Sequence, residues 1–337
     1  MLKGDPKSPV QECATMSPTP PYPMPQDPEV LAFIALSNSF YPADAFQGTI
    51  EQSRTWYNRY AAAMARPLPP ELVVQDFSIA GPAPGAAIAA RRYRNTAQPL
   101  AAGVDVTVLY LHGGGFVLGG LDSHADVCAG LCQLSGLEVV ASSYRLAPEH
   151  AHPAQMDDVE SAYQALRAEG KKIIVCGDSA GGNLAAGLAI RLQAQGLACP
   201  LGQVLIYPGL GGDSSQGSYL SNAHAPMLSS EECAYYFSVR AAGLTAAERE
   251  HPEMRPLLAS DLSGMPQTLV VTADIDPLRD DGALYVQRLC AQGVRAQYRN
   301  EPELVHGYLR ARHMSSRVAQ SFQCIADSLV KMASGTF

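Results

Sequence analysis

From about residue 70 onward, short runs of apolar and β-branched residues alternate with longer stretches of helical spacing. The runs cover residues 72–79, 87–93, 104–111, 137–142, 173–176, 204–207, 269–272 and 295–298. The central ones are nearly continuous in apolar residues, as parallel strands covered on both faces require. Helical stretches near 122–135, 155–169, 180–195, 280–292 and 313–333 lie between and after them. This alternation predicts a doubly wound α/β sheet, mostly parallel, of about eight strands with helices on both faces and an antiparallel start.

Two regions break the rhythm. Residues 1–28 carry eight prolines, which exclude a continuous helix or a central strand and predict an irregular arm. Helical segments follow near 28–38 and 44–65. The second sets Ile50, Trp56, Tyr57 and Tyr60 close to helical spacing and stops before Pro67. Residues 210–262 combine Gly211-Gly212, a Ser-rich polar stretch and a helical piece over 231–242, and fit an excursion from the sheet better than a further strand. The expected organisation is an N-terminal arm with cap helices over 1–66 and a core over 67–337. The 210–262 insertion adds to the cap.

Composition narrows the function. Hydrophobic residues make up 47% of the 337, enough apolar surface to rule out disorder for the bulk. Lys and Arg total 24 against 32 Asp and Glu, a net charge of −8 with no basic cluster, which argues against nucleic acid or an anionic membrane as partner. No run approaches the ~20 apolar residues of a membrane span, and the first residues lack the apolar core of a secretory signal. Eight cysteines without a CxxC pair read as reduced thiols, so a cytoplasmic protein is expected.

The sharpest local chemistry is Gly177-Asp178-Ser179-Ala180-Gly181, which follows a strand and opens an Ala-rich helix. So tight a turn strains the serine, and small residues two positions either side avoid clashes. Chance alone yields a Gly-x-Ser-x-Gly roughly once in five chains of this make-up, so the strand–turn–helix setting carries the argument. His112-Gly113-Gly114-Gly115 at the end of another buried strand is far more specific. Uncovered amides there can face an anion, and those of Gly113 and Gly114, with Ala180, are placed to receive a developing oxyanion. A serine hydroxyl needs a base. Of eight histidines, His306 sits best, between an edge strand and the last helix. The acid that orients it belongs after the preceding strand, where Asp274, Asp276 and Asp280 cluster.

His112-Gly113-Gly114-Gly115-Phe116, Tyr144-Arg145-Leu146-Ala147-Pro148-Glu149, Gly177-Asp178-Ser179-Ala180-Gly181-Gly182, Asp276-Pro277-Leu278-Arg279-Asp280 and His306-Gly307-Tyr308 occur in an order that resembles the hormone-sensitive-lipase-like esterases, and in particular their bacterial carboxylesterases. The resemblance covers roughly residues 70–330. It implies a capped α/β-hydrolase fold and hydrolysis of carboxylic esters through an acyl-enzyme. Ser179 matches the nucleophile, His306 the base and Asp276 the acid, with Gly113, Gly114 and Ala180 as oxyanion donors. It implies no cofactor and no metal, a small-molecule ester with a short acyl chain as substrate, and a homodimer through the sheet edge and last helix.

Other polar residues have plainer expectations. Asp178 supports the turn by hydrogen bonding, Arg145 and Glu149 belong to an ion-pair region, and Cys128 and Cys132 pack in the core. His150 and His152 lack a third metal ligand. Asp122, His124 and Asp126 follow the glycine loop, where a capped helix start accounts for Asp122 or Ser123 without chemistry. Trp56, Tyr57 and Tyr60 belong to either lid core or pocket wall. The rival functions are an amidase or deacetylase on the same residues, and a non-catalytic small-molecule receptor, which the presence of His306 disfavours.

Overall fold

The structure is a computed structural model that describes residues 23–97 and 105–337. The proline-rich stretch through residue 22, and with it most of the expected arm, lies outside the described residues. The chain begins with α1 (Pro28–Asn38) and α2 (Ile50–Met64), continues through β1 (Leu72–Ala80), β2 (Ala87–Asn95) and β3 (Val106–Leu111), and then α3 (Ala125–Ser135) and β4 (Glu138–Ser142). Next come α4 (Ala154–Ala168), β5 (Lys172–Asp178), α5 (Ala180–Ala194) and β6 (Gly202–Ile206). Between β6 and β7 (Gln267–Ile275) lie α6 (Ser218–Ser221), α7 (Ser230–Arg240) and α8 (Ala246–Arg249). The chain closes with α9 (Arg279–Ala291), β8 (Ala296–Val305) and α10 (Ser316–Ser334).

The eight strands form one sheet in the order β1-β2-β4-β3-β5-β6-β7-β8. Only β2 runs against its neighbours; from β4 to β8 every pairing is parallel. Alternate residues of each strand feed two separate cores. Val108, Tyr110, Ile174, Cys176 and Val271 pack with α3 and α10 on one face. Leu109, Leu111, Val175 and Val270 pack with α4, α5 and α9 on the other. Because all six residues of β3 are buried, its sequence is apolar at every position but Thr107. On α10, Val318, Phe322, Ile325, Leu329 and Met332 recur every three or four residues and form its buried stripe.

Element types agree with the sequence reading, and most boundaries shift by a few residues. The largest difference is β8, which continues seven residues past the expected end at 298 to Val305, despite the polar Asn300-Glu301-Pro302-Glu303. An edge strand tolerates Pro302 because one side of it needs no partner. Glu301 is buried there but ion-paired with Arg299. His306 therefore follows β8 directly. The described residues of 210–262 hold no strand, as expected.

The segment between β6 and β7 is fastened to the start of α9 through Asp281. One oxygen of this buried carboxylate accepts from the amides of Leu210 (2.8 Å) and Gly212 (3.2 Å) and from the Tyr219 hydroxyl (3.2 Å). Burial pushes the carboxyl up to about 6, which those hydrogen bonds only partly offset. The folded state then holds this proton at pH values where the unfolded chain has released it, so its contribution to stability is complete below pH ~4 and is lost as pH rises through 6. Asp281→Asn is expected to remove about 3 kcal/mol of that decline between pH 4 and 7. Urea denaturation of both proteins at several pH values checks it, and parallel profiles would refute it.

Candidate active site

Strand β5 ends at Asp178 and α5 begins at Ala180, so Ser179 alone makes the turn, with φ 53° and ψ −116°. A non-glycine residue there carries strain of about 1–3 kcal/mol. Its amide donates to the Ile206 carbonyl at 2.8 Å, which ties the turn to β6. The flanking glycines are required by space. A Cβ on Gly177 would sit 2.5 Å from the Gly181 carbonyl group, and one on Gly181 would overlap the Leu111 carbonyl oxygen.

His306 reaches this turn from the end of β8 and Asp276 from just beyond β7. The imidazole Nε2 lies 2.8 Å from Ser179 Oγ, and Nδ1 lies 2.7 Å from Asp276 Oδ2. Asp276 is fully buried, and its Oδ1 accepts from the Leu278 amide at 2.9 Å. The Tyr207 ring packs 4.8 Å from the imidazole, centre to centre. The loop carrying Asp276 is stitched to α6. Asn222 Nδ2 donates to the carbonyls of Asp274 and Asp276, and Ser218 Oγ to that of Pro277. The other two acids are held elsewhere: Asp274 accepts from Asn300 at 3.0 Å and Asp280 from the Ser218 amide at 2.8 Å.

Asp178 is more than a local prop. Its Oδ1 accepts from the Tyr110 hydroxyl at 2.7 Å and from the Gly113 amide at 2.9 Å, with His124 Nε2 at 3.5 Å. Burial raises this carboxyl, but the His124 ring, the Tyr110 hydroxyl and the nearby Arg310 charge outweigh it and hold the group well below the usual range. His112, stacked on Tyr144 at 4.2 Å, is pushed down to about 3 by burial and the neighbouring His124, and so stays neutral.

This network corrects one expectation. The Gly113 amide, expected to face an oxyanion, already donates to Asp178 and is not free to do so. The amides of Gly114, Gly115 and Ala180 make no hydrogen bond among the described residues. Sequence spacing could not separate these glycines, because the partner that claims Gly113 comes from another strand.

A cavity of about 810 Å³ opens over Ser179 and His306. The N-terminal segment contributes Trp56, Tyr57 and Tyr60 to its wall, so these residues face the cavity. From the 210–262 segment come Tyr219, Met227, Tyr236 and Arg240. Arg310, four residues after His306, donates to the Ser123 carbonyl (2.6 Å) and the Tyr57 hydroxyl (2.9 Å) and so binds α2 to the core. Arg145 pairs with Asp158 and Glu149 with Arg54, in two separate ion pairs. Asp122 pairs with Arg91 and Asp126 with Arg312. Cys128 and Cys132 lie in the core. Among the described residues no three His, Cys, Asp or Glu side chains converge as metal ligands, and no helix is long and apolar enough to cross a membrane. Sequence reasoning missed Tyr207, Asn183 and Arg240, which carry no motif signal.

Comparison with known proteins gives a consistent picture. A family model described as the alpha/beta hydrolase fold matches residues 108–310. The esterase LipI of Mycobacterium tuberculosis is 39% identical over 251 residues, covering 72% of this chain and 77% of that protein. The ethyl acetate hydrolase of Pseudomonas putida is 34% identical over 230 residues, 66% of this chain and 72% of its own. Among solved structures, an esterase of the bacterial hormone-sensitive lipase family superposes with a TM-score of 0.81 at 26% identity, covering 92% of this chain and 100% of that one.

The crowding at the turn sets a measurable expectation. Gly181→Ala forces a Cβ against backbone that cannot yield, and is expected to destabilise by about 3 kcal/mol or more. A thermal melt within 1 °C of the parent would contradict the geometry.

Proposed function

The chain belongs to the α/β-hydrolase family, on its hormone-sensitive-lipase-like carboxylesterase branch, and hydrolyses carboxylic esters; from that premise we propose that Ser179, His306 and Asp276 are its nucleophile, base and orienting acid. The observation that carries this is the continuous line from Asp276 Oδ2 through His306 to Ser179 Oγ at 2.7 and 2.8 Å. His306 Nε2 takes the serine proton as Oγ attacks the ester carbonyl, and Asp276 accepts from Nδ1–H, which fixes the tautomer and stabilises the imidazolium. The tetrahedral oxygen is received by the Ala180 amide, at the positive end of α5, and by Gly114, with Gly115 in the place expected for Gly113. The imidazolium then protonates the leaving alcohol, and water repeats the sequence on the acyl-enzyme. The same residues would attack an amide, but esterase relatives favour the ester. A receptor would have no use for the hydrogen-bonded line.

The N-terminal helices and the 210–262 segment act together as the cap, a reading supported by both lining the cavity. A short acyl group suits the site, and the ethyl acetate hydrolase relative points the same way. The cavity volume alone would admit far larger substrates. The limit on acyl length is instead the chemistry of the wall beyond Ser179, where a neutral chain meets the buried Arg240. Cytoplasmic residence and a homodimer remain part of the proposal, the first supported by seven unpaired cysteines among the described residues.

Ser179→Ala is expected to lower turnover of p-nitrophenyl acetate by on the order of a thousandfold or more at an unchanged melting temperature. Substantial residual activity would refute the assignment. Across neutral acetyl, butyryl and decanoyl esters, kcat/KM is expected to peak at acetyl or butyryl; a maximum at decanoyl would overturn the short-chain reading.

A further inference from the structure

Arg240 closes the last turn of α7 and is among the largest fully buried side chains, at 1% exposure. It lines the cavity that contains Ser179. Its guanidinium carries five N–H bonds, yet makes one hydrogen bond, from Nη1 to Asn183 Oδ1 at 2.7 Å. Nε and Nη2 are sealed from solvent with no partner. One face of the group lies on the Phe116 ring, 3.9 Å from its centre. The nearest acid that influences it, Glu253, is already engaged by Arg191 at 2.7 Å. Burial without an ion-paired partner pushes the guanidinium down to about 9, still charged at neutral pH.

A buried charge left with unmatched donors costs several kcal/mol and persists in a folded protein for a reason. Packing alone is a poor one, since a methionine or leucine would fill this space without the desolvation penalty. The surroundings also anchor the group at one nitrogen, Nη1. Asn183 uses its amide nitrogen on the carbonyls of Gly209 (2.8 Å) and Met254 (2.9 Å), so the oxygen that receives Arg240 cannot turn away. Asn183 stands one helical turn, about 6 Å, beyond Ser179 on α5. Phe116 immediately follows the glycine run. Arg240 is thus bracketed by the nucleophile helix and the glycine loop, whereas the alcohol must leave beside His306. That bracketing argues for the acyl side.

We propose that Arg240 determines acyl specificity by binding a carboxylate at the far end of the acyl chain, so that the preferred substrates are half-esters of short dicarboxylic acids. This deepens the esterase reading and rests on it. The planar guanidinium suits a two-oxygen acceptor, and a small turn of its long side chain presents Nη2 together with Nη1. A five-carbon diacid serves as the probe of that class.

The test uses the full-length enzyme and two substrates of equal shape: mono-p-nitrophenyl glutarate, and p-nitrophenyl 5-methylhexanoate, whose isopropyl end replaces the carboxylate. Wild type is expected to favour the glutarate ester at least tenfold in kcat/KM. In Arg240→Met the ratio should fall to one or below through a raised KM for the glutarate ester, and Arg240→Lys should give an intermediate ratio. A role confined to packing would slow both esters alike and leave the ratio unmoved. Wild type preferring the branched ester, or an unchanged ratio in either variant, would overturn the proposal. The wild-type ratio decides even where Arg240→Met does not fold. Failure on p-nitrophenyl acetate as well would bring down the esterase reading, and this proposal with it.

Discussion

A negative charge buried one residue before Ser179 organises the centre of this protein. Asp178 cannot be solvated, so donors must come to it, and they come from separate parts of the chain. Tyr110 arrives on β3, Gly113 on the loop that follows, His124 from the turn before α3, and the Arg310 charge from beyond His306. Each of these segments carries or borders a residue of the candidate site. The carboxylate therefore sets the distance between the serine turn and the glycine loop, and it does so by using Gly113's amide. The free amides are displaced one residue along, to Gly114 and Gly115.

How much of this the sequence discloses depends on how local the cause is. Strands buried on both faces announce themselves, because nearly every central position must be apolar; β3 and the Ile173–Cys176 stretch of β5 are examples. The serine turn is equally legible, since Gly177 and Gly181 are imposed by backbone contacts within a few residues. Strand β8 is not. At the sheet edge its polar residues face solvent or one another, as Arg299 and Glu301 do, and the hydrophobic pattern fades before the strand ends. Gly113 illustrates a second limit: the three glycines of its loop look alike in sequence, and only a side chain from β5 distinguishes them. Arg240 illustrates a third, because a lone arginine in a polar-looking helix gives no sign that it will be buried.

The cavity has two chemically different ends. Around Tyr57, Tyr60 and Tyr236 its wall is aromatic. Toward Asn183 and Arg240 its wall carries a buried positive charge, held on Asn183 and the Phe116 ring. On the proposed reading, generous volume and restricted acyl choice are compatible: selection on that side would be by charge and hydrogen bonding more than by size.

The stitching of α6 to the Asp276 loop has a mechanical corollary. Asn222 and Ser218 grip the carbonyls of Asp274, Asp276 and Pro277, so this end of the segment between β6 and β7 is welded to the loop that holds Asp276 against His306. The Asp276 loop is thus the pin that holds this end of the segment still. Warming or solvent that loosens the pin would misalign the imidazole before the sheet itself gives way, so activity should fade while the bulk of the fold still stands.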